Sequence, residues 1–165
     1  MTQGYNRCMP VFTIGYGNRP ITDFLDLLRH YGVQVLVDTR SLPYSRFRPD
    51  FRKKVFQEHL ERAGFAYLYL GEALGGKRVD PDCLVNGKVD LERLYAKEAF
   101  RAAISQVEDA ARQGTVLALM CAEQRPEQCH RVWMLAPALI AGGFEVLHID
   151  EKGGLKTHEE VAGWF

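Results

Sequence analysis

The run Thr115-Val116-Leu117-Ala118-Leu119-Met120 is the most hydrophobic strand that the sequence predicts, and it decides the fold class. Apolar residues do not alternate with polar ones along it, so we expect both of its faces to be buried. Strands of this kind are typical of parallel sheets that helices cover on both sides. The run therefore predicts an α/β protein.

The same organisation continues in both directions along the chain. Four other short apolar runs are predicted as strands, at residues 11–15, 33–37, 66–70 and 144–149. Amphipathic helices are predicted between the strands, beginning at Ile21, at Asp50 as N-cap, near Glu98 and at Pro126-Glu127. Four successive strand–helix–strand units predict a three-layer fold: a mainly parallel five-stranded sheet with helices on both faces, Rossmann-like or rhodanese-like.

Length and composition fit one domain. The chain has 165 residues, 47% of them hydrophobic, and single domains commonly hold about 100–200 residues. We therefore expect residues 1–165 to form a single α/β domain. Residues 71–97 lose regular pattern and carry turn residues such as Gly75-Gly76 and Asn86-Gly87, which predicts a long loop excursion. The tail from residue 150 is predicted to be polar and partly helical near its end.

Charge and hydropathy exclude several classes of protein. Lys and Arg number 21, and so do Asp and Glu, which argues against a protein that binds nucleic acid by bulk charge. No apolar run approaches the roughly 20 residues of a membrane span, and residues 1–10 show no secretory signal. We expect a cytoplasmic protein without a membrane partner. The oligomeric state is left open.

Ligands of open parallel sheets bind beyond the carboxyl ends of the strands. The loops that leave the predicted strands at that edge carry most of the unusual residues, whereas the loops at the opposite edge are short and built from Gly or small residues. The chemically rich loops are residues 16–19, 38–48, 71–97, 121–131 and the segment after Ile149. We therefore expect one site at the carboxyl edge, where Asp38 and Cys121 lie near each other.

The loop of residues 121–131 is the sharpest chemical feature of the sequence. Cys121 ends a strand and precedes a predicted helix, whose N-terminus would stabilise a thiolate and bind anions. This order is typical of rhodanese-type sulfur carriers, whereas the phosphatase pattern is absent because Glu127 stands where it requires Arg. Cys121 is therefore a candidate nucleophile or sulfur carrier, with Glu123 or His130 for proton transfer. The alternative is an inert, buried thiol.

The same loop offers metal ligands. Cys121, Cys129 and His130 are candidates for zinc, with Cys83 as a further one. Their spacing is not the Cys-x-x-Cys of structural zinc sites, and no fourth ligand is evident. No cofactor is therefore predicted, and zinc stays an alternative.

A basic loop follows the second predicted strand, and with neighbouring loops it predicts an anion site. The candidate anion-binding residues are Asn18, Asp38, Arg40, Ser45, Arg46 and Arg131. Guanidinium and hydroxyl groups, with Tyr44 or Phe47 for stacking, suit a phosphate-bearing small molecule, a nucleotide or nucleic acid. Asp38 is expected to orient one of the arginines. The alternatives are a solvated basic face and a structural pairing of Arg131 with Asp38 or Glu123.

Four blocks of the chain resemble domain-of-unknown-function family 488. The blocks are residues 13–19, residues 36–45, residues 70–76, and Cys121-Ala122-Glu123 with Cys129-His130-Arg131. They occur in the order of the family and span the chain from about residue 11 to residue 149. The family usually shows a histidine–serine pair where this chain has Tyr16-Gly17, so a role of that histidine does not carry over. The resemblance implies the fold and the motif residues, and it implies no activity.

Three functional hypotheses follow from the sequence. The first is an enzyme that binds a phosphate-bearing ligand at the strand carboxyl ends and uses Cys121 in sulfur transfer or nucleophilic catalysis. The second is a non-catalytic nucleic-acid or nucleotide-binding module, in which Arg40, Arg46, Arg48 and Arg52 line a basic groove. The third is a metal-dependent hydrolase.

Overall fold

A computed structural model describes residues 8–163. The strands are β1 (Val11–Gly15), β2 (Val35–Asp38), β3 (Ala66–Tyr69), β4 (Leu84–Val85), β5 (Lys88–Val89), β6 (Leu117–Cys121), β7 (Val146–Ile149) and β8 (Leu155–Thr157). The α-helices are α1 (Ile21–His30), α2 (Lys53–Arg62), α3 (Gly71–Leu74), α4 (Leu91–Ala96), α5 (Glu98–Arg112), α6 (Ala136–Ala141) and α7 (His158–Ala162). A π-helical segment, Arg131–Leu135, leads directly into α6.

Six strands form the main sheet, in the order β3-β2-β6-β1-β7-β8. The first five are parallel to one another, and β8 runs antiparallel to β7. The predicted α/β class with a mainly parallel sheet is therefore confirmed, and the predicted number of five strands is corrected to six. The additional strand lies in the tail, where a run of three residues is too short to show a strand period.

Residues of the central strands alternate between two hydrophobic clusters. Leu117 and Leu119 of β6 pack in a cluster with residues of α5 and α6, whereas Ala118 and Met120 pack in a cluster with residues of α1 and α2. Burial on both sides explains why the run is apolar without alternation. The two clusters support the three-layer arrangement, which stays a prediction.

Two predicted helix starts are wrong. Pro126–Gln128 forms only one 3-10 turn, and the extended backbone of Cys129 separates it from the helical segment that follows. Asp50 lies in the 3-10 turn Pro49–Phe51 and does not cap α2, whose flanking residue is Arg52. The Asp50 carboxylate instead contacts the imidazole of His59 at 2.9 Å.

Residues 71–97 hold short regular elements where a loop excursion is predicted. They comprise α3, a 3-10 turn at Pro81–Cys83, the β4–β5 hairpin and α4. Leu74, Cys83 and Leu94 of this segment are buried in the cluster that contains α5. The segment therefore packs on the body of the protein and carries its first residues to the carboxyl edge of the sheet. Within residues 8–163, no helix has the length and hydropathy to cross a membrane.

Candidate functional site

The carboxyl ends of four neighbouring strands meet at one edge of the sheet. Gly15 of β1 lies beside Cys121 of β6, and Asp38 of β2 lies beside Met120 of β6 and Tyr69 of β3. This register places Asp38 and Cys121 at the ends of adjacent strands. Residues that are far apart in sequence are thus brought to a common edge.

A cleft of about 400 Å³ opens at this edge. Among the predicted site residues, Cys121, Glu123, His130 and Arg40 line the cleft, together with Cys129. The other lining residues are Tyr16, Ser41, Leu42, Tyr44, Gly76, Lys77, Ala122, Gln128 and Trp133. The cleft therefore brings together two cysteines, a histidine, a glutamate and several aromatic residues.

The two cysteines of the cleft lie against each other. Cys121 ends β6, Cys129 follows the turn Pro126–Gln128, and both side chains are buried. The structure pairs them as a disulfide, with Cα atoms 7.6 Å apart. One ligand atom from each of Cys121, Cys129 and His130 falls within 4.8 Å of the others. The loop therefore brings together a compact group of sulfur and nitrogen atoms.

The imidazole of His130 contacts Cys129. Its Nδ1 atom lies 3.4 Å from the Cys129 Sγ atom, and its Nε2 atom lies 3.4 Å from the Thr39 hydroxyl oxygen. The Thr39 hydroxyl donates to the carbonyl oxygen of Met120 at 2.9 Å, so its lone pairs can accept a hydrogen bond from an Nε2–H group. With the proton on Nε2, the lone pair of Nδ1 faces the Cys129 sulfur.

Burial and, to a smaller extent, the nearby charge of Arg131 lower the pKa of His130 to about 4. With the cysteines paired, the imidazole is therefore neutral near pH 7. The sequence assigns His130 as a proton-transfer group for Cys121, whereas the structure places its ring nitrogen on Cys129. The sequence predicts Cys129 only as a candidate metal ligand. The histidine that follows it at position 130 is the sequence feature that could have indicated its contact with an imidazole.

Asp38 and Arg40 form a buried ion pair. Arg40 donates from Nε and Nη2 to the two carboxylate oxygens of Asp38 and from Nη1 to the carbonyl oxygen of Phe51 at 2.6 Å. Tyr67 donates its hydroxyl to the same carboxylate at 2.7 Å, and burial followed by the charge of Asp38 raises the pKa of Tyr67. Arg40 thus lines the cleft with most of its donor groups already engaged.

Arg131 is fully buried and does not line the cleft. Its Nη2 group donates to the backbone oxygens of Glu123 and Gln124 at 2.9 and 3.2 Å, and burial lowers its pKa to about 9. Within residues 8–163, its Nε and Nη1 atoms have no hydrogen-bond partner. The observed bonds of Arg131 therefore fix the loop after β6 through its backbone rather than through the carboxylates considered in the sequence.

The remaining predicted anion-binding residues lie outside the cleft. Asn18 lines a separate groove of about 610 Å³ with Arg19 and Glu151. The hydroxyl of Ser45 accepts from the backbone of Arg48, and Arg46 is exposed beside Phe47. The predicted anion-binding set is therefore distributed over several places, with Arg40 as its one member in the cleft among residues 8–163.

Gly76, Lys77 and Trp133 are among the cleft residues to which the sequence assigned no role. Gly76 packs so closely on His130 that a Cβ atom at this position would lie 2.7 Å from the imidazole Cγ atom. Lys77 follows it, held by a hydrogen bond from its backbone to the Ser41 hydroxyl at 3.0 Å. Trp133 is 37% exposed, whereas the other residues of its helical segment are buried. Its position outside the apolar stripe of the predicted helix is the sequence feature that could have indicated an exposed aromatic residue.

Comparison with known proteins gives one match. No curated protein and no solved structure matches the chain. The family model described as "Domain of unknown function DUF488" matches residues 20–136, which include both the Asp38–Arg40 pair and the loop with Cys121, Cys129 and His130. Because the match covers well over half of its length, the chain belongs to the DUF488 family.

Proposed function

We propose that this protein is an enzyme whose reacting groups are the thiols of Cys121 and Cys129. The observation that carries the proposal is the contact of the His130 imidazole with the Cys129 sulfur, at 3.4 Å, with the Cys121 sulfur beside them in the cleft. Paired thiols beside a proton acceptor suit thiol–disulfide exchange, a form of sulfur chemistry in which a substrate sulfur is attacked by a thiolate. Cys129 is the attacking thiol, because His130 contacts it, and Cys121 is the resolving thiol.

The reaction proceeds in two balanced exchanges. The Cys129 thiol gives its proton to His130, and its thiolate attacks one sulfur of a substrate disulfide. A bond forms between Cys129 and that sulfur, the substrate S–S bond breaks, and the leaving thiolate takes the proton from His130. The Cys121 thiol then attacks Cys129, forms the intramolecular disulfide and releases the second substrate thiol with its proton. The substrate gains the two electrons and two protons that the protein loses, and a dithiol reductant restores the protein.

The walls of the cleft suit a substrate with a flat apolar group. Leu42, Tyr44 and Trp133 are 56%, 57% and 37% exposed and line the cleft with the cysteines. A phosphate on the substrate would be held by Lys77, because the donors of Arg40 are engaged by Asp38 and Phe51. We therefore propose that Lys77, rather than the predicted arginines, binds the phosphate of the ligand.

The test is a chromogenic aromatic disulfide, dithiobis(nitrobenzoate), applied to the reduced full chain. Cys8 is exposed, so Cys8→Ser serves as the background in which only the cleft thiols react. We expect two equivalents of coloured thiol from this background. With Cys121→Ser added, we expect one equivalent and a stable mixed disulfide on Cys129, which peptide mass spectrometry locates.

The pH dependence of iodoacetamide alkylation provides the second measurement. Cys129 should alkylate at a pH below the pKa of free cysteine, which is about 8.5, and His130→Gln should remove this advantage. Alkylation of both cleft thiols at the rate of free cysteine would contradict the proposal. So would equal release of coloured thiol by the background and by the Cys129→Ser variant.

A second candidate function is nucleic-acid binding by the basic loop, favoured by its exposed aromatic residues. Phe47 is 82% exposed, and Arg46 lies over its ring at 5.3 Å. Arg52 lies over the exposed ring of Tyr44 at 4.9 Å. Such rings stack on bases of single strands. Binding of a fluorescent oligonucleotide should fall with salt and with Phe47→Ala but not with Cys121→Ser, and absence of binding at low salt would eliminate this function.

A further inference from the structure

We propose that Cys121, Cys129 and His130 bind a zinc ion when the cysteines are reduced, and that the disulfide between them abolishes this binding. One sulfur or nitrogen atom from each residue lies within 4.8 Å of the others, and both cysteines are buried. Cysteine thiolates and histidine nitrogen are the ligands that zinc prefers. A small movement of side chains would bring the three atoms to a common ion.

The surroundings of His130 hold its ring in the orientation that a ligand needs. The hydroxyl of Thr39 donates to the carbonyl oxygen of Met120, so its lone pairs can accept a hydrogen bond from an Nε2–H group, and in that tautomer the Nδ1 lone pair is directed at Cys129 Sγ. Zinc-binding histidines commonly donate their second ring nitrogen to such a partner. Gly76 lies against the other side of the ring, where no side chain could fit without displacing it.

The fourth coordination position would be open to the cleft. Cys121, Cys129 and His130 all line the cleft, and so does Glu123. Three protein ligands with an open position are typical of zinc sites that bind water or substrate, whereas structural sites are closed by four protein ligands. The site would therefore take Zn²⁺ with an exchangeable water or a ligand from the cleft.

Oxidation prevents zinc binding, because two sulfur atoms that form a disulfide cannot also serve as thiolate ligands. A phosphine reductant and one water convert the disulfide to two thiols, with the phosphine oxidised to its oxide. Zinc then binds the two sulfurs and displaces both thiol protons. This inference needs only the geometry of the cluster and does not depend on the proposed exchange reaction.

The test uses the full chain, reduced with a phosphine under argon and freed of reductant and metal. Zn²⁺ is titrated against a chromogenic chelator, and elemental analysis after dialysis gives the stoichiometry. We expect one zinc per chain for the wild type and for Cys8→Ser, whose thiol is exposed outside the cluster. Cys129→Ser and His130→Gln should each weaken zinc binding by more than about a hundredfold. This exceeds the usual effect of removing a residue that only hydrogen-bonds to a zinc ligand.

A second measurement on the wild type does not depend on the folding of any variant. Co²⁺ should give the intense absorption of sulfur–cobalt bonds with reduced protein and no such band with oxidised protein. The proposal is overturned if the reduced chain binds no zinc, if the oxidised chain binds equally well, or if Cys129→Ser keeps the affinity of the wild type. Thiol exchange is measured on metal-free protein, so failure of either proposal is seen separately.

Discussion

Arg40 holds both carboxylate oxygens of Asp38, the residue two positions before it, with Nε–Oδ1 and Nη2–Oδ2 distances of 2.9 and 2.8 Å. Both side chains are buried, and the guanidinium carbon lies over the rings of Tyr16 and Phe56, 5.4 and 5.8 Å from their centroids. The pair fixes the end of β2 beside the cleft. The binding of Arg40 by Asp38 therefore positions one wall of the site.

Asp38→Asn should destabilise the protein by about 3–5 kcal/mol, because it leaves the Arg40 charge buried without its partner. Urea unfolding followed by circular dichroism measures this loss. The matched control is Asp50→Asn, which removes an exposed contact with His59 and should cost about 0–1 kcal/mol. Equal effects of the two substitutions would show that the Asp38–Arg40 pair does not stabilise the fold.

The pKa of His130 should rise when the cysteines are reduced. In the disulfide form, burial lowers this pKa to about 4. A thiolate on Cys129, whose sulfur lies 3.4 Å from Nδ1, would stabilise the imidazolium and raise the pKa. NMR titration of the ring protons in both redox forms measures the change, with His59 of α2, which does not line the cleft, as the control. Identical His130 titrations in the two forms would rule out this coupling.

The oxidised protein should lose stability as the pH falls below the ordinary histidine pKa of 6.5. Burial lowers the pKa of His148 to about 3, while the unfolded chain takes up a proton near 6.5. The unfolded state therefore binds more protons between these values, and the free energy of unfolding decreases from about pH 6.5 towards pH 3. Urea midpoints measured across this range should fall less steeply for His148→Gln. If the urea midpoint of that variant falls with pH as steeply as that of the wild type, His148 does not cause the loss of stability.

Gly15→Ala should disturb the loop that follows β6. A Cβ atom at this position would lie 1.6 Å from the backbone oxygen of Glu123, the same oxygen that accepts from Arg131. We expect a loss of about 2–4 kcal/mol in urea unfolding, because backbone must move to make room. Thiol release from the reduced variant should also slow. Wild-type stability and wild-type thiol release together would show that the loop accommodates the methyl group.

The parallel sheet and the meeting of Asp38 with Cys121 are predictable from sequence because they depend on local patterns: apolar runs, helical periodicity and the common edge of strand ends. β8 is not predictable in this way. Its three residues follow a turn in which the Asp150 carboxylate accepts from the backbone nitrogens of Lys152 and Gly154 at 2.9 Å. That turn, rather than any periodicity, places β8 beside β7.

The site is predictable only where its residues adjoin a strand end. Cys121 and Glu123 reach the cleft for that reason, and His130 reaches it because the loop from β6 is short. Arg131 is adjacent in sequence, yet its side chain turns into the protein and binds loop carbonyls. The charge of a side chain does not reveal its direction, and neither Lys77 nor Trp133 belongs to a pattern that specifies a cleft.

β8 has a consequence for the behaviour of the protein outside its site. Leu147 and Ile149 of β7 pair with Thr157 and Leu155, so the outward backbone groups of an apolar strand are already occupied. A chain truncated after Ile149 would leave this strand as a bare template for strands of other molecules. The short antiparallel strand thus covers the edge of β7 and prevents it from pairing with other molecules. The capping box at Thr157 stabilises the start of α7 directly after β8.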